Sequence, residues 1–391
     1  MSTRTRIAVI GLGGISQAVH LPVIQRHRRD IELAAVAELS ASRLAAIADR
    51  YGVPEDGRFA DVAELTRAVA GGRIRVDAAI LATTGSHVRD ALALALAGVR
   101  VLVEKPLAYS HGELDLLERG LTERGLDPDD WVQIGYMKNH DPAVAAAREL
   151  LAGVTPLEVR TEVLHPADGH QLAFAHLEPQ ARDLPAERLD ASRALLDEAL
   201  DAATGTNDET FRALYSNVVL GSIVHDLALT RHLGLGLAHI HYAANGGAEF
   251  PGSVIALGRT EQGVPWNLGW HFAADLPEYR ETITIHHERG SIELRFATPY
   301  LLNAPTILTH TSGDRALRSS HTRSTWPQEE AFEREILALT THSDSPRGCD
   351  VDAARRDLIS AQTLWRACAD AAGITVDPSA ESAEIIERTT R

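Results

Sequence analysis

The sequence predicts an α/β protein: an N-terminal domain with a parallel, doubly wound sheet, then an α+β domain on a large, open, mainly antiparallel sheet. Three observations carry that reading. Residues 6–104 alternate short apolar runs with helix-length segments, the signature of repeated right-handed strand–helix–strand crossovers. The first run leads directly into the pattern Gly11-x-Gly13-x-x-Ser16. After about residue 150 the pattern changes to short stretches rich in Thr, Val, Ile and aromatic residues, separated by polar or Gly-rich turns, as in an antiparallel sheet.

Ile7–Ile10 is a short apolar run, suited to a strand covered on both faces. The segment after the glycines, to about residue 28, reads as a helix. Ile31–Ala37 is a second strand, and Ala41–Tyr51 a helix closed by Gly52. Asp61 with Glu64 reads as a capping box opening another helix. Val76–Thr83 is a third buried strand, Val88–Ala97 a helix with Gly98 as its C-terminal cap, and Val99–Val103 a further strand. In the second half, strands are expected at 155–164, 239–244, 253–258, 265–273, 280–287 and 291–296. A mostly helical insert spans about 166–216 and includes an acidic, Ala/Leu-rich segment from Ala186 to Ala203. Helical patterns return at Glu329–Thr341 and Val351–Ala372. The expected division is 1–130 for the first domain and 131–391 for the second, with the helices of 329–372 packing back towards the first.

Composition narrows the function. The 391 residues include 38 Lys and Arg against 54 Asp and Glu, a formal charge of −16. So acidic a chain repels phosphate backbones and anionic lipid, which argues against nucleic-acid and membrane-surface partners. Cys349 and Cys368 stand nineteen positions apart, without the spacing of a zinc site or a disulfide framework, which fits a reducing compartment. The N-terminus lacks the apolar core of a signal peptide. The most apolar stretch read from the sequence, Ala91–Val103, is too short for a bilayer and contains Arg100. A cytoplasmic protein is expected.

The glycine pattern read alone is compatible with a structural turn, but between a buried strand and a helix it points to a dinucleotide. Gly11 permits the tight turn, Gly13 lets a pyrophosphate approach the backbone, and Gly14 and Ile15 open the helix whose free N–H groups face the anion. The third position is Ser16 rather than Gly or Ala. Glu38 ends the second strand, 27 positions after Gly11. A carboxylate there accepts from ribose hydroxyls and repels a 2′-phosphate, and no Arg or Lys follows until Arg43, so NAD(H) is favoured over NADP(H). The pair His286-His287 reads as strand decoration, and no metal site is expected.

Val103-Glu104-Lys105-Pro106-Leu107, after the last parallel strand, adds a family resemblance. With His20-Leu-Pro22, Val76-Asp-Ala, Ala82-Thr83-Thr84 through His87, Gly135-Tyr136-Met-Lys138-Asn139-His-Asp141-Pro142 and Val224-His225-Asp226-Leu227, the chain resembles the Gfo/Idh/MocA oxidoreductases. These include glucose–fructose oxidoreductase and inositol dehydrogenase. Ala331-Phe-Glu-Arg-Glu-Ile and Asp352-Ala-Ala-Arg-Arg-Asp357 extend the resemblance to the C-terminal region. It implies a Rossmann domain that binds cofactor through Gly11, Gly13, Gly14, Ile15, Glu38, Thr83, Thr84, His87, Glu104 and Lys105. It further implies that Lys105 carries the proton of a hydride transfer, that His225 assists it, and that Lys138 and Asn139 contact substrate. Many relatives place an Asp four residues before the histidine; here that residue is Gly221, and Asp226 or Asn217 is the candidate substitute.

The implied activity is an NAD(P)-dependent dehydrogenase or reductase acting on a ring hydroxyl or ketone of a sugar, amino sugar or cyclitol. Two other activities are compatible with the family: an NAD-binding regulator without turnover, and an NAD-dependent glycoside hydrolase. The open sheet is expected to join subunits in a homodimer or homotetramer.

Overall fold

The computed structural model describes residues 4–173, 175, 177, 181–247, 249–314, 316, 318–340 and 349–382. The chain forms two compact units: Met1–Gly135 with Ala175–Ala199 and Phe332–Arg355, and Tyr136–Phe174 with Leu200–Ala331 and Arg356–Arg391. The division is discontinuous, with the first boundary at 135/136.

The first unit contains a six-stranded parallel sheet in the order β3-β2-β1-β4-β5-β6. Its strands are β1 (Thr5–Ile10), β2 (Ile31–Ala37), β3 (Arg58–Phe59), β4 (Ala78–Leu81), β5 (Arg100–Glu104) and β6 (Val132–Gly135). The doubly wound expectation holds, and its apolar runs are the central strands: Ile7 to Ile10, Ala78 to Leu81 and Val101 to Val103 are almost wholly buried. β3 and β6 were not expected, because two and four residues are too few for a periodicity.

The helix ends follow local chemistry. Ser40 caps helix Ala41–Tyr51, its Oγ accepting from Arg43 N at 3.1 Å, and Gly52 closes it at φ 70°. Asp61 Oδ1 accepts from Glu64 N at 2.7 Å, while the Glu64 carboxylate accepts from Ala60 N at 3.0 Å, one residue earlier than an ideal capping box. In the same unit Ile134 N donates to Cys349 O at 3.2 Å and Val351 N to Asp129 at 3.1 Å.

The second unit is built on an eight-stranded sheet, β14-β13-β12-β11-β7-β10-β9-β8. Its strands are β7 (Pro156–His165), β8 (Leu237–Gly246), β9 (Ser253–Thr260), β10 (Pro265–Phe272), β11 (Arg280–His287), β12 (Gly290–Phe296), β13 (Pro305–Gly313) and β14 (Ser319–Pro327). β7 and β10 run parallel; the other neighbours are antiparallel. Alternate residues point inward, and Val159, Val254, Trp266, Trp270, Ile283, Ile285, Ile292 and Phe296 are buried among them. β13 and β14 were not expected; β14, Ser-Ser-His-Thr-Arg-Ser-Thr-Trp-Pro, is an edge strand mostly exposed on both faces, so it carries no apolar alternation.

Helix Ala186–Thr204 matches the acidic segment read from the sequence, and the C-terminal helices are Glu329–Thr340 and Val351–Ala371. Position 341 and parts of the 166–216 insert (174, 176 and 178–180) lie outside the described residues. Helical winding is continuous over Glu209–His232. By length and composition this run suffices to cross a membrane, yet 67% of its most apolar stretch is buried.

Candidate functional site

The glycine loop leaves β1 at its C-terminal end. Gly11 has φ +82°, and a Cβ there would lie 2.5 Å from Ala82 O, so the loop passes too close to β4 for any side chain. A Cβ on Gly13 would meet nothing within 4 Å, so the backbone is open to an approaching pyrophosphate. Gly14 and Ile15 start the following helix. Ser16 is buried and donates from Oγ to Gly11 O at 2.6 Å, so the departure at the third position closes the loop on itself. The helix is wound in wide π turns over Ser16–His20 and ends at Arg26, two residues short of expectation.

Glu38, at the end of β2, accepts from Leu12 N at 2.9 Å and from Ser40 N at 3.0 Å. It fixes the glycine loop to the β2 end and keeps lone pairs for further donors. These features together fit a dinucleotide: an uncrowded glycine, a helix start facing it and a carboxylate at the end of the second strand.

Lys105 follows β5 on the same edge of the sheet. Its neighbour Glu104 accepts a hydrogen bond from His20 Nε2 at 2.7 Å. Burial alone raises the Glu104 pKa; the bond from His20 and the charges of His20, Lys105 and His87 outweigh it and hold the carboxyl below its ordinary value. Glu335 is buried nearby, and burial with the Glu104 charge pushes its pKa well up. This is the acid of the Ala331-Phe-Glu-Arg-Glu-Ile motif, whose Phe332 meets the His20 ring edge-on at 6.5 Å and whose Glu333 lies 3.4 Å from His27. His87 faces Pro106 O at 2.8 Å through Nδ1 and Thr83 O at 2.9 Å through Nε2. It is a clamp between the β4 loop and the lysine loop, where a cofactor contact was expected. Thr83 is half-buried and Thr84 exposed.

In the second unit, Lys138, expected to contact substrate, is buried and donates to both Glu281 oxygens at 2.5 Å. Tyr279 Oη donates to Glu281 at 2.6 Å, and the Phe296 ring lies 5.1 Å from the ammonium. Asp226 completes the cluster. Burial, and then the charge of Glu281, raise its pKa well above its ordinary value despite Lys138, and its side chain hydrogen-bonds Glu281. The same burial and carboxylate push the Tyr279 phenol up.

His225 is half-buried on helix Val224–His232, with its ring edge-on to Tyr136 at 5.8 Å. Asn139 is half-buried on the Met137–His140 turn, and Asn217 is exposed with its carbonyl accepting from Ser216 Oγ at 3.0 Å. Of the two proposed substitutes, Asp226 lies in the buried Glu281 cluster and Asn217 carries no carboxylate. The helix itself departs from the expectation. Leu214–Ile223 is wound as a π-helix, with backbone hydrogen bonds in i→i−5 register, directly before the helix that carries His225.

Sequence reasoning missed Glu281 and Tyr279. A signal existed: in Arg280-Glu-Thr-Ile-Thr-Ile, Glu281 shares its parity with Ile283 and Ile285, and an acid on an inward face requires a buried partner. Glu335 lay in a recognised motif without an assigned role.

Residues 5–126 match the oxidoreductase family described as an NAD-binding Rossmann fold. No curated protein matches the chain. Among solved structures, a UDP-N-acetylglucosamine 3-dehydrogenase from Acidithiobacillus ferrooxidans is 22% identical, covering 93% of this chain and 98% of that one at a TM-score of 0.64. A myo-inositol 2-dehydrogenase from Lactobacillus plantarum is 17% identical, covering 96% and 99% at 0.65. A scyllo-inositol dehydrogenase from Lactobacillus casei, with bound NAD(H) and scyllo-inositol, is 18% identical, covering 94% and 98% at 0.64. At these identities the likeness is one of fold. Residues 5–126 are an NAD-binding Rossmann domain of the Gfo/Idh/MocA oxidoreductase family.

Proposed function

We propose that the protein is an NAD(H)-dependent dehydrogenase or reductase acting on a ring hydroxyl or ketone of a sugar, amino sugar or cyclitol, with Lys105 as proton carrier. The observation that carries this reading is the position of Lys105 directly after β5, at the carboxyl edge of a parallel sheet that also carries the open glycine loop. That edge is where α/β folds of this kind bind their ligands. Bound nicotinamide would supply the hydride acceptor or donor. Gly11 to Ile15 hold the pyrophosphate and Glu38 accepts from the ribose. Lys105 gives or takes the proton at the reacting oxygen, while Glu104, held by His20, and His87, clamped between two carbonyls, fix the loop that presents it.

His225 and Asn139 are assigned to orienting the substrate oxygens. Lys138 and Asp226 are assigned to a supporting role, because their polar atoms are committed to Glu281. The substrate class draws on the inositol and UDP-sugar dehydrogenases that share the fold. Tyr242 and Leu257, cross-strand neighbours exposed on the outer sheet face with Ile255, are assigned to contact with a second copy of the chain.

The test is NADH formation at 340 nm across a panel of inositols, sugars and UDP-sugars, with Lys105→Met as control. NADH accumulation that needs Lys105 supports the dehydrogenase. Cofactor binding without turnover on any of them refutes it in favour of a regulator, and glycoside cleavage without net NADH refutes it in favour of a hydrolase.

A further inference from the structure

The loop after β2 carries a contact that the cofactor reading leaves unused. Asp183 Oδ1 accepts from Ser40 Oγ at 2.5 Å, and its Oδ2 accepts from Ser42 N at 2.9 Å. The same Ser40 donates its backbone N–H to Glu38 at 3.0 Å, so one serine bridges the expected ribose-reading carboxylate and a second one 143 residues further along the chain. The segment is attached at two more points. Arg188 Nη2 lies 2.6 Å from Asp61 Oδ2, in the loop after β3. Ser192 Oγ lies 3.8 Å from where a Cβ of Gly85 would stand, in the loop after β4. The three attachments fall on three successive loops at the carboxyl edge of the parallel sheet, and 181–199 runs along it as a strap.

We infer that this strap is a second wall of the cofactor's adenosine site, in which Asp183 acts with Glu38 as a specificity-determining residue for NAD(H) against NADP(H). This rests on the NAD-binding reading above. Two carboxylates joined through one serine offer acceptors to ribose hydroxyls and repel a 2′-phosphate. The cation nearest to Glu38, Arg43, lies 3.9 Å from it and is therefore shared with a carboxylate already present. The hydrogen bonds from Ser40 and Ser42 hold the Asp183 carboxyl down to about 2, so the charge is in place at neutral pH.

The experiment titrates NADH and NADPH by fluorescence against the full-length wild type, Asp183→Asn and Asp183→Ala, each checked for folding by circular dichroism. The asparagine variant retains an acceptor for the strap and loses only the charge. In both variants NADPH should bind about tenfold more tightly than to wild type, while the NADH affinity stays within about threefold. Unchanged selectivity in Asp183→Asn, whatever Asp183→Ala does, would overturn the inference, since Asp183 would then only pin the strap. Failure of wild type to bind either dinucleotide would overturn this inference and the cofactor reading together; binding with unaltered selectivity overturns this inference alone.

Discussion

Lys138→Met tests whether the buried cluster of the second unit is held by charge. The Lys138 and Glu281 side chains are 8% and 1% exposed, and the ammonium meets both carboxylate oxygens at 2.5 Å. Methionine keeps most of the side chain's length and its apolar stem beside Phe296, so the perturbation removes the charge and its hydrogen bonds with little loss of volume. What remains is a buried Glu281 carboxylate beside Asp226 and the Tyr279 hydroxyl. Breaking one side of a buried ion pair costs about 3–5 kcal/mol, and the two remaining donors place this case at the lower end. For a unit of about 200 residues that corresponds to a fall in Tm of roughly 6–20 °C. The assay is thermal unfolding followed by tryptophan fluorescence, with Trp266 and Trp270 of β10 buried in this unit as reporters. Lys138→Met/Glu281→Gln removes both charges and should lose less than Lys138→Met alone. If the double variant loses the sum of the two single losses, the pair is not coupled and the cluster is held by packing.

At the proton-transfer site, Lys105→Met should lower kcat by about 10²–10⁴ with little change in NADH affinity, and near-normal turnover would remove Lys105 from the chemistry. His225→Asn should lose less, mainly through KM, and Gly221→Asp should restore nothing; a kcat for His225→Asn as low as that of Lys105→Met contradicts this. Asp226 binds its proton more tightly folded than unfolded, so its stabilising contribution is full below its ordinary pKa and is lost as pH rises towards the folded value. Asp226→Asn cannot ionise, and its Tm relative to wild type should therefore climb between pH 4 and pH 8; a constant difference would show that Asp226 is not protonated in the folded state. Leu257→Glu on the outer sheet face should lower the solution mass measured by light scattering, and an unchanged oligomer would place the subunit contact elsewhere.

The parallel sheet was legible because fully covered strands read as apolar runs and the helices between them carry local caps: Ala41–Tyr51, with Ser40 before it and Gly52 after it, was located to the residue. β14 was not, because an edge strand exposed on both faces lacks the two-residue alternation that marks a half-buried one. The glycine loop and Glu38 were readable for a different reason: contacts such as Leu12 N to Glu38 join neighbouring strands of one crossover unit. Asp183 on Ser40 and Glu281 on Lys138 each join residues 143 positions apart. Asp183 is an exposed acid in an acidic insert, and nothing local marks it. Glu281 did carry a mark, its inward parity among isoleucines, but a buried acid signals that it has a partner without identifying it.

Gly221 is where the sequence and the geometry bear on each other most directly. A carboxylate four residues before a histidine can orient the imidazole only if the intervening turn is an ordinary α-helical one, which places the two side chains on one face. Leu214–Ile223 is wound in wider π turns, and the helix that carries His225 begins at Val224. A Cβ at Gly221 would meet only Ser216 O, at 3.4 Å, so steric exclusion is not what keeps aspartate out. The acid next to His225 in sequence, Asp226, lies in the buried cluster with Glu281, where burial and the Glu281 charge raise its pKa. In the proposed function His225 orients a substrate oxygen rather than accepting its proton. The proposal assigns the proton to Lys105, whose loop is held by Glu104 on His20 and by His87 between two carbonyls.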